Sequence, residues 1–225
     1  PHVTGDLPEQ ARSLGIRIGT GKAIASVKGG QRVNAVAICE QDGEGFVTEE
    51  IACDCVAMSG GWSPVVHLWS HCGGKLTWDA DQAMFRPDPN RPPTGADGQG
   101  FVIAAGVANG HLFTAEAIAD GFGAGRKAAT AAGFSRKPGQ APMGADPAEE
   151  PMLAVWQMPA AAPYALRSKT WLDFQNDVKV TDVQLAAQEG FQSVEHAKRY
   201  TTLGMATDQG KLSNINGLAV LAQAL

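Results

Sequence analysis

Residues 100–126, GFVIAAGVANGHLFTAEAIADGFGAGR, decide how the chain is read. Residues 101–105 are a short apolar run of the kind that forms a buried strand. Residues 106–110 carry glycine at both ends and predict a tight turn. Ala115, Ile118, Ala119 and Phe122 then recur at helical spacing. Strand, glycine turn and helix bring backbone close to a nucleotide. Glycine has no Cβ to block approach, and a helix start offers N–H groups without intrahelical partners and a partial positive charge. The same pattern also serves as an ordinary βα connection, so on its own it leaves both readings open.

The 225 residues suffice for one large domain or two smaller ones, and a hydrophobic fraction of 44% with a net charge of −5 describes a globular body. Lysine and arginine are sparse and dispersed, which argues against a nucleic-acid surface. No apolar run reaches the roughly 18 residues of a membrane span. No signal-peptide pattern and no initiator Met stand at the start; the chain reads as an internal piece of something longer. Cys39, Cys53, Cys55 and Cys72 have neither zinc-finger nor redox CxxC spacing. Cys53 and Cys55 are expected to pack to one face at the entrance of an apolar strand, and a reduced, cytoplasmic setting fits this usage. His67 and His71, four apart with Cys72 beside them, could ligate a metal from a helix. With no carboxylate near in sequence, surface histidines are the expected reading.

Residues 1–60 read mainly as β structure. Strands are expected at 16–18, 23–27 and 32–39, the last two joined by a glycine hairpin at 28–31, and at 46–51. An apolar strand at 55–58 then runs into a glycine turn. The meander is expected to cover a sheet from one side, and the fully apolar strand to enter a parallel sheet buried on both faces. Residues 65–71 predict a short helix, and the prolines at 87, 89, 92 and 93 a rigid loop. The helix that follows the glycine turn runs through Ala131, with Gly133 placed to end it.

Six of the chain's 13 prolines lie in 138–163, which predicts a linker arm. Its apolar segment, Met152 to Trp156, is expected to pack on a partner, which another chain could supply. Residues 165–225 predict a helical module. Thr181 and Gln184 have capping-box spacing, Gly190 ends that helix, Ser193 caps the next, Gly204 breaks the chain, and 210–224 forms a last helix. The boundaries are therefore 1–137, 138–164 and 165–225.

Residues 54–64 with 101–126 resemble the NAD-binding half of the two-dinucleotide-domain flavoprotein (FAD/NAD-binding) fold. Residues 171–178, 195–202 and 204–211 closely resemble the α subunit of heterotetrameric sarcosine oxidase, and the likeness covers essentially the whole chain. The resemblance implies an α/β fold and an enzyme that demethylates sarcosine oxidatively. Glycine and hydrogen peroxide are formed, and a one-carbon unit passes to tetrahydrofolate. It implies NAD in the α subunit, FMN at the interface with the β subunit, FAD in β and zinc in a small subunit. The implied partners are the β, γ and δ subunits. The family's N-terminal GxGxxG is not present here, nor is its folate-binding domain, so weak or no NAD binding by this chain alone is the expectation. The helical module also resembles a bacterioferritin-associated-ferredoxin-like domain. Asp173, Gln175 and Asp208 stand where that fold carries cluster cysteines, so a cluster-free relative is implied, with no bound metal.

Carried over residue by residue, the NAD contacts fall on Gly106, Val107, Ala108, Leu112 and Thr114. Leu112 could instead be core, and the Thr114 hydroxyl could bond its own backbone. Lys198 and Arg199 are the candidates for the FMN phosphate, or else a solvated helix end matched to the dipole. Lys179 and Lys211 are weaker candidates. Asp120 is either a solvated carboxylate or an acid near a flavin. No nucleophile has an adjacent base, which suits a reaction whose chemistry lies in the cofactor. The apolar residues of 165–211 imply a face that docks the FAD-bearing partner. Two other readings stay open: an α-type subunit of a related amine or opine oxidase (octopine oxidase, hydrogen cyanide synthase), and a non-enzymatic assembly scaffold.

Overall fold

The structure, a computed structural model, describes residues 3–135, 139–146 and 153–225. They form two compact units. One comprises Gly19–Met58 with Val155–Leu225, the other the described parts of His2–Ile18 with Ser59–Ala154. The meander, which stands in the first 137 residues of sequence, thus shares a unit with the C-terminal helices.

In the first unit, β1 (Lys22–Gly29), β2 (Val33–Glu40) and β3 (Val47–Ala52) form an antiparallel sheet in that order. Val27 pairs with Val36, and Val36 with Ile51. The central strand carries the buried residues Ala35, Val36, Ala37 and Cys39, whereas β3 is exposed at four of its six positions. Lys22–Glu40 and Lys28–Glu50 pair across its rims. The proline arm ends on this sheet. The N–H groups of Ala160 and Ala161 donate to Gln41 and Gly43 carbonyls at 2.7 and 3.1 Å. The arm's described C-terminal part therefore packs on the β2–β3 turn of its own chain. Met152 lies outside the described residues.

The rest of this unit is α4 (Tyr164–Arg167), the short pair β6 (Trp171–Asp173) and β7 (Val178–Lys179), α5 (Val180–Gln188), α6 (Val194–Thr201) and α7 (Asn214–Ala224). Val180, Val183 and Ala186 of α5 meet Ala197, Leu203, Val220, Leu221, Leu172 and Val178 in one buried cluster. Three short helices hide a core here by packing on one another. At the end of α5, Gly190 and Phe191 donate to Ala187 and Ala186 carbonyls, a Schellman motif with Phe191 packed on the core.

The start of α5 corrects the sequence reading. The helix begins at Val180, so Thr181 sits inside it and Lys179 is the N-cap. The Lys179 N–H donates to Asp182 Oδ2 at 2.9 Å. Strand β7 runs directly into the helix and moves the cap two residues upstream. Ser193 does occupy the N-cap of α6, but its side chain makes no capping hydrogen bond. Asp182→Ala is therefore expected to lower the module's stability by about 1 kcal/mol, and Thr181→Ala to have a smaller effect. Equal denaturation midpoints for Asp182→Ala and the parent chain would refute the cap.

The second unit holds α1 (Asp6–Ser13), α2 (His67–His71), the hairpin β4 (Leu76–Asp79) and β5 (Met84–Pro87), a 3-10 turn (Gly106–Asn109) and α3 (Thr114–Ala131). Neither α1 nor the hairpin is among the sequence expectations. Residues 16–18 are not a strand: the Ile16 N–H donates to Ala11 O at 3.0 Å and closes α1. Residues 55–58 and 101–105 are not strands either. Met58, Phe101 and Ile103 are exposed, and no described strand pairs with either run. An apolar run without a partner gains no ladder hydrogen bonds. The expected parallel sheet is thus not formed among the described residues. Cys53 is half-buried, Cys55 and Cys72 are exposed and Cys39 is buried, all four as free thiols, so Cys53 and Cys55 do not pack together on a buried strand.

The Trp69 indole N–H donates to Lys75 O at 2.8 Å, and Trp78 meets its cross-strand partner Phe85 edge-on at 5.0 Å. Helix α3 ends as expected, with Gly133 and Phe134 donating to Thr130 and Ala129 carbonyls.

Candidate functional site

The glycine turn of the second unit is built by three elements. Residues 106–109 coil into the 3-10 turn, Gly110 closes it in the left-handed region at φ 91°, and α3 follows from Thr114. Asp120, on α3, reaches back to the turn. Its Oδ2 accepts from the Gly106 N–H at 2.8 Å, and the Asn109 side-chain amide donates to the same carboxylate at 3.3–3.4 Å. Asp120 therefore braces the turn, a role the sequence did not indicate.

A Cβ on Gly110 would lie 3.0 Å from Arg86 Nε and 3.2 Å from Cζ. The side chain that approaches this glycine is Arg86, from β5. Arg86 Nη1 donates to Asp79 Oδ2 at 3.0 Å. Burial pushes the Asp79 carboxyl up, but the Arg86 hydrogen bond and the Gln82 and Asp81 N–H groups outweigh it and hold it below its usual value. His111 stands 3.7 Å from both Glu116 and Asp120.

The start of α3 is also occupied. The Ala115 N–H donates to Asp146 Oδ2 at 2.8 Å. Gly144 passes so close that a Cβ there would lie 3.0 Å from Ala115 Cα. Asp146 is 31 residues from its partner, a separation at which sequence carries no signal.

The structure brings Gly106, Val107, Ala108, Leu112 and Thr114 together on this turn. Val107 and Thr114 are exposed, and Gly106, Ala108 and Leu112 are half-buried. Leu112 is thus not a core residue. Val107 and Leu112 offer apolar surface for a flat ring, and Arg86 offers spare donors, so the residues suit a dinucleotide in chemical kind.

Lys198 and Arg199 lie in the other unit, in the last turn of α6. Lys198 is 3.9 Å from Glu195 and Arg199 is exposed. Adjacent positions on a helix do not face one another, so the two cations point apart. Lys179 stands 5.0 Å over the Trp171 ring.

Asp173, Gln175 and Asp208 all accept from backbone. Asp173 is buried; its Oδ1 accepts from the Gln175 and Asn176 N–H groups at 2.9 and 3.2 Å, and its Oδ2 from Gly204 at 2.8 Å. Gln175 Oε1 accepts from Thr207 at 3.0 Å, and Asp208 accepts from Gly210 and Leu212 at 3.2 and 3.3 Å. Asp173 and Gln175 stitch the 174–177 loop to the 202–213 loop, and Asp208 braces the latter. Among the described residues no group of His, Cys, Asp and Glu is arranged to hold a metal, and no helix is long and apolar enough to cross a membrane. The His67 and His71 rings are 6.5 Å apart, edge to face.

Residues 167–225 match the family described as the sarcosine oxidase A3 domain. The sarcosine oxidase subunit alpha of Rhizobium meliloti (strain 1021) is 36% identical over 204 residues, 89% of this chain and 19% of that protein. Those of Corynebacterium sp. strains P-1 and U-96 are 34% and 37% identical, each over 96% of this chain and 22% of the relative. The chain thus spans 19–22% of the length of these curated relatives. The solved L-proline dehydrogenase from P. horikoshii superposes with a TM-score of 0.66 at 18% identity, covering 96% of this chain and 42% of that one. At that identity the likeness is one of fold.

Proposed function

We propose, for a chain that belongs with the sarcosine oxidase alpha subunits and corresponds to 19–22% of their length, that it is the part of a flavin-dependent oxidoreductase subunit that contributes to NAD binding and to assembly. The carrying observation is identity of 34–37% that runs over 89–96% of the chain, well beyond the A3 domain at 167–225. The complete enzyme, on this reading, oxidises sarcosine to glycine with peroxide formation and transfers the one-carbon unit to tetrahydrofolate. Substrate choice rests in another subunit. The fold is part of a two-dinucleotide-domain flavoprotein, followed by a cluster-free ferredoxin-like module.

Bound NAD or flavin supplies the hydride chemistry. This chain's residues bind and position. Val107 and Leu112 pack on the dinucleotide at the glycine turn, Thr114 offers a hydroxyl, and Gly106 and Ala108 keep the approach open. Phe174 and Met205, exposed on the stitched loops, belong to the face of residues 165–211 that docks the FAD-bearing β subunit. FMN lies between, with Lys198 and Arg199 near its phosphate. The γ and δ subunits, one of them holding zinc, complete a cytoplasmic heterotetramer.

The test uses the full-length subunit assembled with its partners. Leu112→Arg is expected to weaken NAD binding at least tenfold by calorimetry with both flavins retained. Lys198→Ala with Arg199→Ala is expected to lower FMN content and leave FAD in place. Parent-like NAD affinity in the first variant removes the turn from the site, and full FMN occupancy in the second removes the phosphate role.

A further inference from the structure

We infer that Arg86 is the residue that recognises the phosphate-bearing part of a dinucleotide at the glycine turn, in place of the α3 helix start. The inference rests on the NAD reading above. Two of the donors that a glycine turn and a helix start ordinarily present to phosphate are already used here: the Gly106 N–H by Asp120 and the Ala115 N–H by Asp146. Both occupants are carboxylates, which repel an anion. Glu116 adds a third at the same place, and His111 stands between Glu116 and Asp120. The fourth carboxylate, Asp79, is paired with Arg86.

Arg86 is the cation held against the turn itself. Its Nε, Cζ and Cδ line the space a Gly110 side chain would fill, at 3.0–3.4 Å. A side chain at position 110 would crowd the guanidinium and shift it by a few tenths of an ångström, besides straining the left-handed φ. Asp79 accepts a hydrogen bond from one guanidinium nitrogen and fixes its orientation. A guanidinium has five N–H donors in a planar fork, so donors remain, and the Arg86 side chain is 33% exposed. A pre-oriented fork packed on Gly110, in the turn that also carries Val107 and Leu112, matches a ligand with phosphate next to a flat base or ring.

Full-length protein is titrated with NAD at several salt concentrations, comparing the parent with Arg86→Met and Arg86→Lys. The expected result is at least a tenfold loss of affinity for Arg86→Met, with a shallower dependence of affinity on salt, because a phosphate contact screened by salt has been removed. Arg86→Lys keeps the charge but not the fork, and recovers the salt dependence with partial affinity. Unchanged affinity in Arg86→Met overturns the inference while leaving the NAD reading intact. Weakened binding with the parent's salt dependence assigns Arg86 a purely structural role and overturns it as well. A parent protein that binds no NAD removes the NAD reading, and the inference with it.

Discussion

Asp173→Ala is expected to lower the stability of the helical module by about 3 kcal/mol, the removal of a buried acceptor that three backbone N–H groups share. Asp173 is 4% exposed and accepts from Gln175, Asn176 and Gly204. The Gln175 and Asn176 donors lie where water can replace the carboxylate, but Gly204 is buried. Its N–H would be left without a partner, and that single desolvated donor accounts for much of the loss. Asp173→Asn keeps one acceptor oxygen and should fall between the two. The measurement is a denaturant midpoint, with hydrogen exchange at residues 183–187 as a reporter local to the module. Parent-like exchange in Asp173→Ala would show that the two loops are held by other contacts.

Gly204→Ala should destabilise by a similar amount, about 3 kcal/mol, for a different reason. Gly204 has φ 65°, where an alanine costs roughly 1–2 kcal/mol. The added Cβ would also lie 2.9 Å from Gly210 Cα and 2.1 Å from Asn214 Oδ1. The Asn214 amide is seated between two glycines, and the Gly210 backbone cannot yield without moving the loop. Gly190→Ala is the control: its φ is 91° but a Cβ there meets nothing within 4 Å. It should lose only the conformational part, roughly 1 kcal/mol. Equal losses at the two positions would mean that the close packing around Asn214 contributes nothing.

Elements that rest on local chemistry were legible in the sequence. The hairpin and third strand of the meander, the glycine turn, the span of α3 and the glycine ends of α3 and α5 all follow from turn residues, apolar period and glycine placement. These signals act within a few residues, so a single chain segment contains them whole. The likeness of 171–178, 195–202 and 204–211 to a known subunit family was likewise readable, and the relatives at 34–37% identity agree with it.

Tertiary structure decided the rest. Runs 55–58 and 101–105 have strand composition, yet a strand exists only where a neighbour completes its hydrogen bonds, and composition does not name the neighbour. Thr181 has the spacing of a cap, yet β7 enters the helix directly and passes that role to Lys179 and Asp182. Gly110 looked like clearance for a nucleotide and is filled by Arg86, 24 positions earlier in sequence. Asp120, Asp146 and Asp173 are ordinary carboxylates in sequence. Folding sets them against the N–H groups of Gly106, Ala115 and Gly204, because a buried or helix-start donor needs an acceptor and the nearest one in space need not be near in the chain.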